Sequence, residues 1–208
     1  MEGSKGLIMR STGSWYEVRA DSGKVYRARL KGKFKLNGPK TSNPITVGDH
    51  VLFSMEDEAN QTVVIEEISL RQNYIIRKSV HKTAQGHILA ANLDQAVIIA
   101  TLNYPRTSQG FIDRFLVSAE AYSIKTILLF NKIDAYDDDI ISEVKYLASI
   151  YRKIGYQCIG ISAKTGKNVE KVKQLMIDNV SIFTGHSGVG KSTLINAIES
   201  GLNLKTKE

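Results

Sequence analysis

Residues 185–192 read GHSGVGKS and match the pattern G-x-x-x-x-G-K-[ST]. An apolar run at 180–183 precedes them, and a helical pattern with Leu194, Ile195 and Ile198 follows, which predicts a strand, a loop and a helix. Glycine permits a tight turn that aims consecutive backbone N–H groups at one point, and the N-terminus of the helix adds partial positive charge there. The segment is therefore predicted to hold an anionic phosphate group.

Two side chains of this phosphate loop, defined as residues 185–192, have specific predicted roles. Lys191 would contact the β- and γ-phosphates of a nucleotide, and the Ser192 hydroxyl would bind a Mg²⁺ ion that bridges the same oxygens. His186 occupies a variable position, where its ring could face the nucleotide or the solvent. The alternative is a glycine-rich turn that binds nothing, and the flanking strand and helix argue against it. The predicted phosphate-binding residues are Gly185, His186, Ser187, Gly188, Val189, Gly190, Lys191, Ser192 and Thr193.

Two further polar motifs come directly after predicted strands. Residues 131–134 (NKID) follow the strand at 126–130, and residues 162–164 (SAK) follow the strand at 158–161. Ligands of parallel sheets bind at the carboxyl ends of the strands. The Asp134 carboxylate could accept hydrogen bonds from guanine N1–H and the N2 amine, which adenine does not offer in that arrangement. The two motifs therefore predict a base-binding site that selects guanine.

Other residues of these motifs have predicted roles around the base. Asn131 would hold the neighbouring loops together, the Lys132 stem would cover the base plane, and the backbone N–H of Ala163 would donate to guanine O6. The alternative role for Asp134 is that of an N-cap for the helix predicted at 137–154. The predicted guanine-binding residues are Asn131, Lys132, Asp134, Ser162, Ala163 and Lys164.

The chain from residue 95 onward alternates between predicted strands and predicted helices. The strands are 96–100, 126–130, 158–161 and 180–183, and the helices between them are 111–122, 137–154 and 168–177. Strands that read as continuous apolar runs, each followed by a helix, predict an α/β fold with a parallel sheet covered on both faces. Such a sheet would bring the three motifs to one edge.

Residues 6–68 have a different pattern, in which short strands are separated by turn residues. The predicted strands are 7–10, 15–20, 25–30, 50–55 and 63–68. Five short strands predict a small all-β barrel, which we assign as OB-type, with an SH3-like barrel as the alternative. Residues 71–90 have weak periodicity and are predicted to link this barrel (1–70) to the α/β domain (91–208).

The positive charge of the chain is concentrated near its N-terminus. Residues 1–40 contain ten Lys or Arg and three Asp or Glu, an excess equal to the net charge of +7 for the whole chain. Aromatic residues such as Trp15 and Tyr26 lie among these cations, a combination typical of nucleic-acid-binding surfaces. The alternative is a solvated basic surface with no partner. The predicted RNA-binding residues are Arg27, Arg29, Lys31, Lys33 and Lys35.

The composition, with 42% hydrophobic and 24% charged residues, is that of an ordinary globular protein. The single cysteine, Cys158, excludes an internal disulfide, and its apolar neighbours predict a buried strand position. No apolar run reaches the roughly 18 residues of a membrane span, and no signal-peptide core is present. We therefore expect a cytoplasmic protein with no membrane partner.

The order of the motifs resembles that of circularly permuted GTPases. In Ras-like GTPases the phosphate loop comes first, whereas here NKID and SAK precede it. Together with the basic barrel, this order resembles the ribosome small-subunit-dependent GTPase A family, which is involved in small-subunit maturation. Further similarities are the sequences RKS at 77–79, ANLD at 91–94 and IDRFL at 112–116.

The resemblance implies a GTPase that hydrolyses GTP to GDP and phosphate, with Mg²⁺ as cofactor and the small ribosomal subunit and its rRNA as partners. It also implies that the complete protein is monomeric and continues into switch regions, a DxxG motif and a zinc-binding domain. We therefore expect this chain to be part of a longer protein. Because the switch residues are absent, its catalytic residues are unknown, and we expect it to be slow in GTP hydrolysis and free of zinc.

Two alternative functions remain at this stage. The chain could be an RNA-binding module in which GTP or GDP is only a structural ligand. An ATP-dependent kinase or ATPase is disfavoured by the two guanine motifs.

Overall fold

The structure is a computed structural model that describes residues 3–32, 44–78, 86–199 and 201–206. The chain forms two compact units, Met1–Leu93 and Asp94–Glu208. The first unit is built from strands, and the second alternates strands with helices. The predicted fold class, an all-β barrel followed by an α/β domain, is confirmed.

Five strands close into a barrel in the first unit. They are β1 (Ser4–Thr12), β2 (Trp15–Ala20), β3 (Val25–Leu30), β4 (His50–Asp57) and β5 (Thr62–Ile68). Their order around the barrel is β1-β2-β3-β5-β4, with β4 pairing back to β1 and with β3 parallel to β5. This topology is OB-type and excludes the SH3-like alternative.

Side chains of the barrel alternate between its interior and its surface. On β3, Ala28 is buried, whereas Arg27 and Arg29 are exposed. The interior is apolar and is filled mainly by Ile8, Val18, Ile45, Val51, Phe53, Val63 and Ile65.

Residues 71–90, predicted to be a linker, instead contain two paired strands. Strands β6 (Tyr74–Lys78) and β7 (Gly86–Ala91) form an antiparallel sheet, and the side chains of Ile75 and Ile88 are buried. A bulge between Ile75 and Ile76 interrupts the alternation, so the periodicity that predicts a strand is weak here. This sheet belongs to the first unit, which extends to Leu93 rather than to residue 70.

Polar contacts fix this two-stranded sheet to the loop that precedes β4. The Thr46 hydroxyl donates to the Ile88 carbonyl at 3.1 Å, and Asn92 Nδ2 donates to the Gly48 carbonyl at 2.8 Å. A Cβ on Gly48 would lie 2.1 Å from the Ala91 carbonyl oxygen, so only glycine permits this approach. Residues 71–90 are therefore not a free linker, because their two strands pack against the loop that precedes β4.

The second unit contains a four-stranded parallel sheet. Its strands and helices are β8 (Gln95–Ala100), α1 (Gln109–Glu120), β9 (Lys125–Phe130), α2 (Asp138–Lys153), β10 (Gln157–Gly160), α3 (Val169–Met176), β11 (Ser181–Thr184) and α4 (Lys191–Ile198). The strand order is β10-β9-β8-β11, and every neighbouring pair is parallel. The carboxyl ends of all four strands therefore lie along one edge. Among the described residues, none of the helices is long and apolar enough to cross a bilayer.

Both faces of this sheet are covered by helices, as the continuous apolar strands predicted. Ile98 and Leu128 pack in a core with α1 and α2, whereas Val97 and Ile127 pack in a second core with α3 and α4. Alternate residues of one strand thus belong to opposite cores, which fixes the register of each strand.

Cys158 lies on β10 and is buried, as its sequence context predicted. Burial raises the pKa of its thiol to about 11. Because the thiolate is the reactive form, we expect an aromatic disulfide reagent at pH 8 to leave Cys158 unmodified in the folded chain and to modify it fully in guanidinium. Rapid modification of the folded chain would contradict the burial of this strand.

Candidate nucleotide-binding site

The predicted phosphate loop leaves β11 and enters α4. Its three glycines, Gly185, Gly188 and Gly190, have φ values of +147°, +83° and +94°. A Cβ on Gly185 would lie 2.4 Å from the Ile99 carbonyl oxygen, and one on Gly190 would lie 2.3 Å from Asn131 Nδ2. Both positions therefore require glycine for its conformation and for its lack of a side chain.

The backbone N–H groups at 186–190 donate to no protein acceptor within the described part of the chain. Consecutive N–H groups without partners in a tight turn form a concave site for an anion. The Lys191 ammonium donates to the carbonyl oxygens of Gly185 and His186 at 2.8 and 2.7 Å. The loop thus has free donors and a cation at the same place.

The remaining residues of the loop have distinct environments. Val189 is buried, whereas Ser187 is exposed, and Ser192 and Thr193 lie half-buried in the first turn of α4. The His186 ring contacts Phe111 of α1 in a tilted arrangement, with the ring centroids 4.0 Å apart. The sequence left open whether this ring faces the nucleotide or the solvent, and the structure adds a contact with α1.

Asn131 connects the three predicted motifs. Its Nδ2 donates to the Val189 carbonyl at 2.8 Å, and its Oδ1 accepts from the Ala163 N–H at 3.0 Å. The side chain is buried, so both hydrogen bonds are shielded from water. One buried amide therefore joins the phosphate loop to NKID and SAK at the carboxyl edge of the sheet.

Asp134 is exposed on a 3₁₀ turn, Ile133–Ala135, directly after β9. It is not the N-cap of α2, because the Asp137 side chain fills that role by accepting from the Ile140 N–H at 2.9 Å. The structure therefore excludes the capping alternative and leaves the Asp134 carboxylate exposed at the sheet edge.

The SAK segment differs in one respect from the predicted arrangement. The Ala163 N–H, predicted to donate to guanine O6, donates to Asn131 Oδ1 instead. The Ser162 hydroxyl is buried and accepts from the Thr165 N–H at 3.0 Å, so it shapes the turn. Lys164 is exposed, and its backbone N–H has no protein acceptor within the described ranges.

A third loop at this edge, residues 101–108 between β8 and α1, was not predicted as part of the site. The Lys132 ammonium donates to the Tyr104 carbonyl in this loop at 2.5 Å. Pro105 Cδ lies 3.4 Å from the position of a Cβ on Gly188. The loop carries no sequence motif. Its position directly after a buried strand is the one signal that could have indicated a place in the site.

Comparison with known proteins identifies the family. The sequence profile of the RsgA GTPase domain matches residues 68–208, and that of the RsgA N-terminal domain matches residues 5–63. The chain belongs to the RsgA GTPase family. The resemblance to the ribosome small-subunit-dependent GTPase A family is therefore confirmed.

Two relatives carry the name small ribosomal subunit biogenesis GTPase RsgA. The protein of Christiangramia forsetii is 58% identical over 205 residues, and that of Bacteroides fragilis strain YCH46 is 50% identical over 204 residues. Each comparison covers 98% of this chain and 65% of the relative. The chain thus spans somewhat less than two thirds of the length of these RsgA proteins.

Two solved structures have a fold similar to that of this chain. The crystal structure of YjeQ from Thermotoga maritima matches 98% of this chain and 68% of its own, with a TM-score of 0.76 and 35% identity. YloQ, described as a circularly permuted GTPase, matches 96% of this chain and 66% of its own, with a TM-score of 0.68 and 29% identity. The permuted motif order predicted from the sequence is thereby confirmed.

The residues predicted to bind RNA in the RsgA N-terminal domain do not form a uniformly basic face. Lys33 and Lys35 lie outside the described residues. Arg29 Nε donates to Glu56 Oε2 at 2.8 Å, and Lys31 Nζ donates to Glu66 Oε1 at 3.3 Å. Hydrogen bonds from the Ser54 hydroxyl and the Lys31 ammonium hold the pKa of Glu66 below its usual range.

The acidic partners come from β4 and β5, of which only β5 pairs directly with β3 in the barrel. Residues 41–70 contain six Asp or Glu and no Lys or Arg, so the first 70 residues carry an excess of only one positive charge. The Arg27 guanidinium instead lies over the Trp15 ring, 3.9 Å from its centroid. Arg10, Trp15, Glu17 and Arg27 contribute to the lining of a cavity of about 340 Å³, which we call the Trp15 surface. Within it Arg10 Nη1 donates to Glu17 Oε1 at 3.4 Å.

Proposed function

We propose that this chain contains the RNA-binding barrel and the guanine-nucleotide-binding domain of a GTPase that acts in small ribosomal subunit biogenesis, in the cytoplasm. The observation that carries the proposal is the pair of hydrogen bonds by which Asn131 joins Val189 to Ala163. This amide holds a loop suited to phosphate and two loops suited to guanine at one edge of the sheet. The names of the RsgA relatives supply the ribosomal role.

The phosphate loop would bind the β- and γ-phosphates of GTP. The free N–H groups at 186–190 would donate to the phosphate oxygens, and Lys191 would add a full positive charge beside them. Phosphoryl transfer to water depends mainly on such positioning and on charge stabilisation. The loop would therefore hold GTP in place for hydrolysis to GDP and phosphate.

Ser192 is the residue that fits a Mg²⁺ ion at this site. It lies in the first turn of α4, directly after the phosphate loop, and its hydroxyl is the kind of hard oxygen ligand that Mg²⁺ prefers. When bound, the ion would neutralise charge on the phosphate oxygens.

Three groups would recognise the guanine base. The exposed Asp134 carboxylate would accept hydrogen bonds from N1–H and the N2 amine, and the Lys132 stem would cover the base plane. We assign the hydrogen bond to guanine O6 to the Lys164 N–H, because the Ala163 N–H already donates to Asn131. A charged acceptor, an apolar cover and a neutral donor would together select guanine over adenine.

GTP turnover by the full-length protein distinguishes a GTPase from an RNA-binding module with a structural nucleotide. We expect multiple turnovers that purified small ribosomal subunits accelerate. Release of less than one phosphate per protein, with or without subunits, would favour the structural role of the nucleotide.

The Trp15 surface is the part of the barrel that we propose to contact rRNA. Arg27 is not part of an ion pair among the described residues, in contrast to Arg29 and Lys31. An arginine stacked on an aromatic ring combines a charge for phosphate with a flat face for bases.

We expect Arg27→Ala to weaken binding of small-subunit rRNA about fivefold to tenfold, and to reduce the slope of log K against log salt by about one. Arg29→Ala is the matched control, since it removes the same charge from a cation that Glu56 already neutralises. Fluorescence anisotropy between 50 and 200 mM salt would measure both. Equal losses for the two variants would mean that only net charge matters.

A further inference from the structure

The loop between β8 and α1 is held firmly although it has no regular structure. The Thr107 N–H donates to the Thr101 carbonyl at 2.7 Å, and the Thr101 N–H donates to the Thr107 hydroxyl at 3.1 Å. Both threonines are buried, and the Leu102 N–H donates to the Tyr136 hydroxyl at 2.9 Å. These contacts fix the ends of the loop, so the residues between them have a defined position.

Tyr104 stands out within this loop. The residue is 74% exposed, and its φ of +50° places the backbone in the left-handed region that side-chain-bearing residues rarely adopt. An aromatic residue this exposed contributes little to packing, so packing of the ring does not explain the left-handed backbone. Such conformations cluster at functional sites, where the fold holds them in place.

Tyr104 and Pro105 contact residues of both halves of the proposed nucleotide site. Its carbonyl accepts from Lys132, whose stem we assign to the base. The next residue, Pro105, lies against Gly188 in the middle of the phosphate loop. In a nucleotide, the group that lies between the base and the phosphates is the ribose.

We propose that Tyr104 is a further nucleotide-contacting residue, whose ring packs against the ribose of a bound guanine nucleotide. The inference rests on the guanine-nucleotide site proposed above and adds one contact to it. Lys132 would support the contact between Tyr104 and the ribose indirectly, because its ammonium donates a hydrogen bond to the Tyr104 carbonyl. The chemistry is apolar contact between an aromatic face and a sugar, so it requires the ring and not the phenol hydroxyl.

The first test compares GDP binding by variants of this chain in a calorimetric titration. Tyr104→Ala should weaken GDP binding about fivefold to thirtyfold, whereas Tyr104→Phe should stay within about twofold of the unmodified chain. Tyr146→Ala is the matched control, since Tyr146 is also an exposed tyrosine but lies on α2. It should bind GDP as the unmodified chain does.

The second test reports the contact directly and does not depend on the size of the affinity change. Trp15 is the only tryptophan, so Trp15→Phe provides a background in which Tyr104→Trp or Tyr146→Trp is the single tryptophan. GDP should change the fluorescence of the tryptophan at 104 and leave that at 146 unchanged.

The outcomes separate this inference from the proposed function. If the unmodified chain binds GDP and Asp134→Ala abolishes that binding, the proposed guanine-nucleotide site is supported. Normal GDP affinity of Tyr104→Ala, together with an unresponsive tryptophan at 104, would then overturn the ribose contact alone. If the unmodified chain does not bind GDP in preference to ADP, both proposals fail.

Discussion

Asp134→Asn is expected to weaken GDP binding by two to four orders of magnitude and to create binding of xanthosine diphosphate. The carboxylate would accept two hydrogen bonds from guanine, and hydrogen bonds to a charged group contribute about 1.5–3 kcal/mol each. In xanthine a carbonyl oxygen replaces the N2 amine, so the asparagine amide could donate where the carboxylate cannot. Calorimetric titration of the chain with both nucleotides would measure the change in preference.

The matched control for this substitution is Asp139→Asn. Asp139 is also an exposed acid, in the first turn of α2, so the same atom is replaced and the same charge is lost five residues further along the chain. The control should keep the nucleotide preference of the unmodified chain. An Asp134→Asn variant that binds GDP normally would show that another group reads the base.

Gly190→Ala is the second substitution with a large expected effect. The new Cβ would lie 2.3 Å from Asn131 Nδ2, and Asn131 cannot move without losing its hydrogen bonds to Val189 and Ala163. The left-handed backbone adds a cost of about 1–2 kcal/mol. Loss of a buried hydrogen bond adds about 1–3 kcal/mol. The phosphate-loop conformation in which Asn131 keeps both hydrogen bonds would become a minor one. We therefore expect GDP affinity to fall by at least about thirtyfold.

Gly155→Ala separates the collision from the backbone strain. Gly155 has a φ of +98°, close to the +94° of Gly190, but a Cβ there meets no atom within 4 Å. The control should lose stability in thermal unfolding without losing GDP affinity. If the two alanine variants bound GDP equally well, the contact between Gly190 and Asn131 would have no role in the site.

The elements of the second unit could be predicted because their signals are local. Each strand is a short apolar run, and each helix has apolar residues at helical spacing, such as Val144, Leu147 and Tyr151 on α2. Motifs directly after such strands must lie at one edge of a parallel sheet, whatever the details of packing. The positions of NKID, SAK and the phosphate loop therefore followed from the sequence.

The charge of the barrel surface could not be predicted in the same way. Arg29 and Lys31 are neutralised by Glu56 and Glu66, which are 27 and 35 residues further along the chain. The contacts arise because β3 pairs with β5, which in turn pairs with β4. A count of charges along residues 1–40 does not include these partners.

Two features near the nucleotide site also depend on tertiary contacts. The Ala163 N–H is occupied by Asn131, a residue 32 positions away, so its role toward guanine could not be judged from the SAK sequence. The position of Tyr104 depends on hydrogen bonds within its loop and on Lys132. Neither residue type nor spacing indicates these contacts.

The claim that three separate loops form one guanine-nucleotide site is tested most directly by NMR. The backbone amide signals of the 23.1 kDa chain would be followed during titration with GDP and, separately, with ADP. We predict that GDP shifts the signals of 131–134, 162–164 and 186–193 together, with one saturation curve, and that ADP at equal concentration does not. Shifts confined to the phosphate loop, or identical shifts with ADP, would contradict the account.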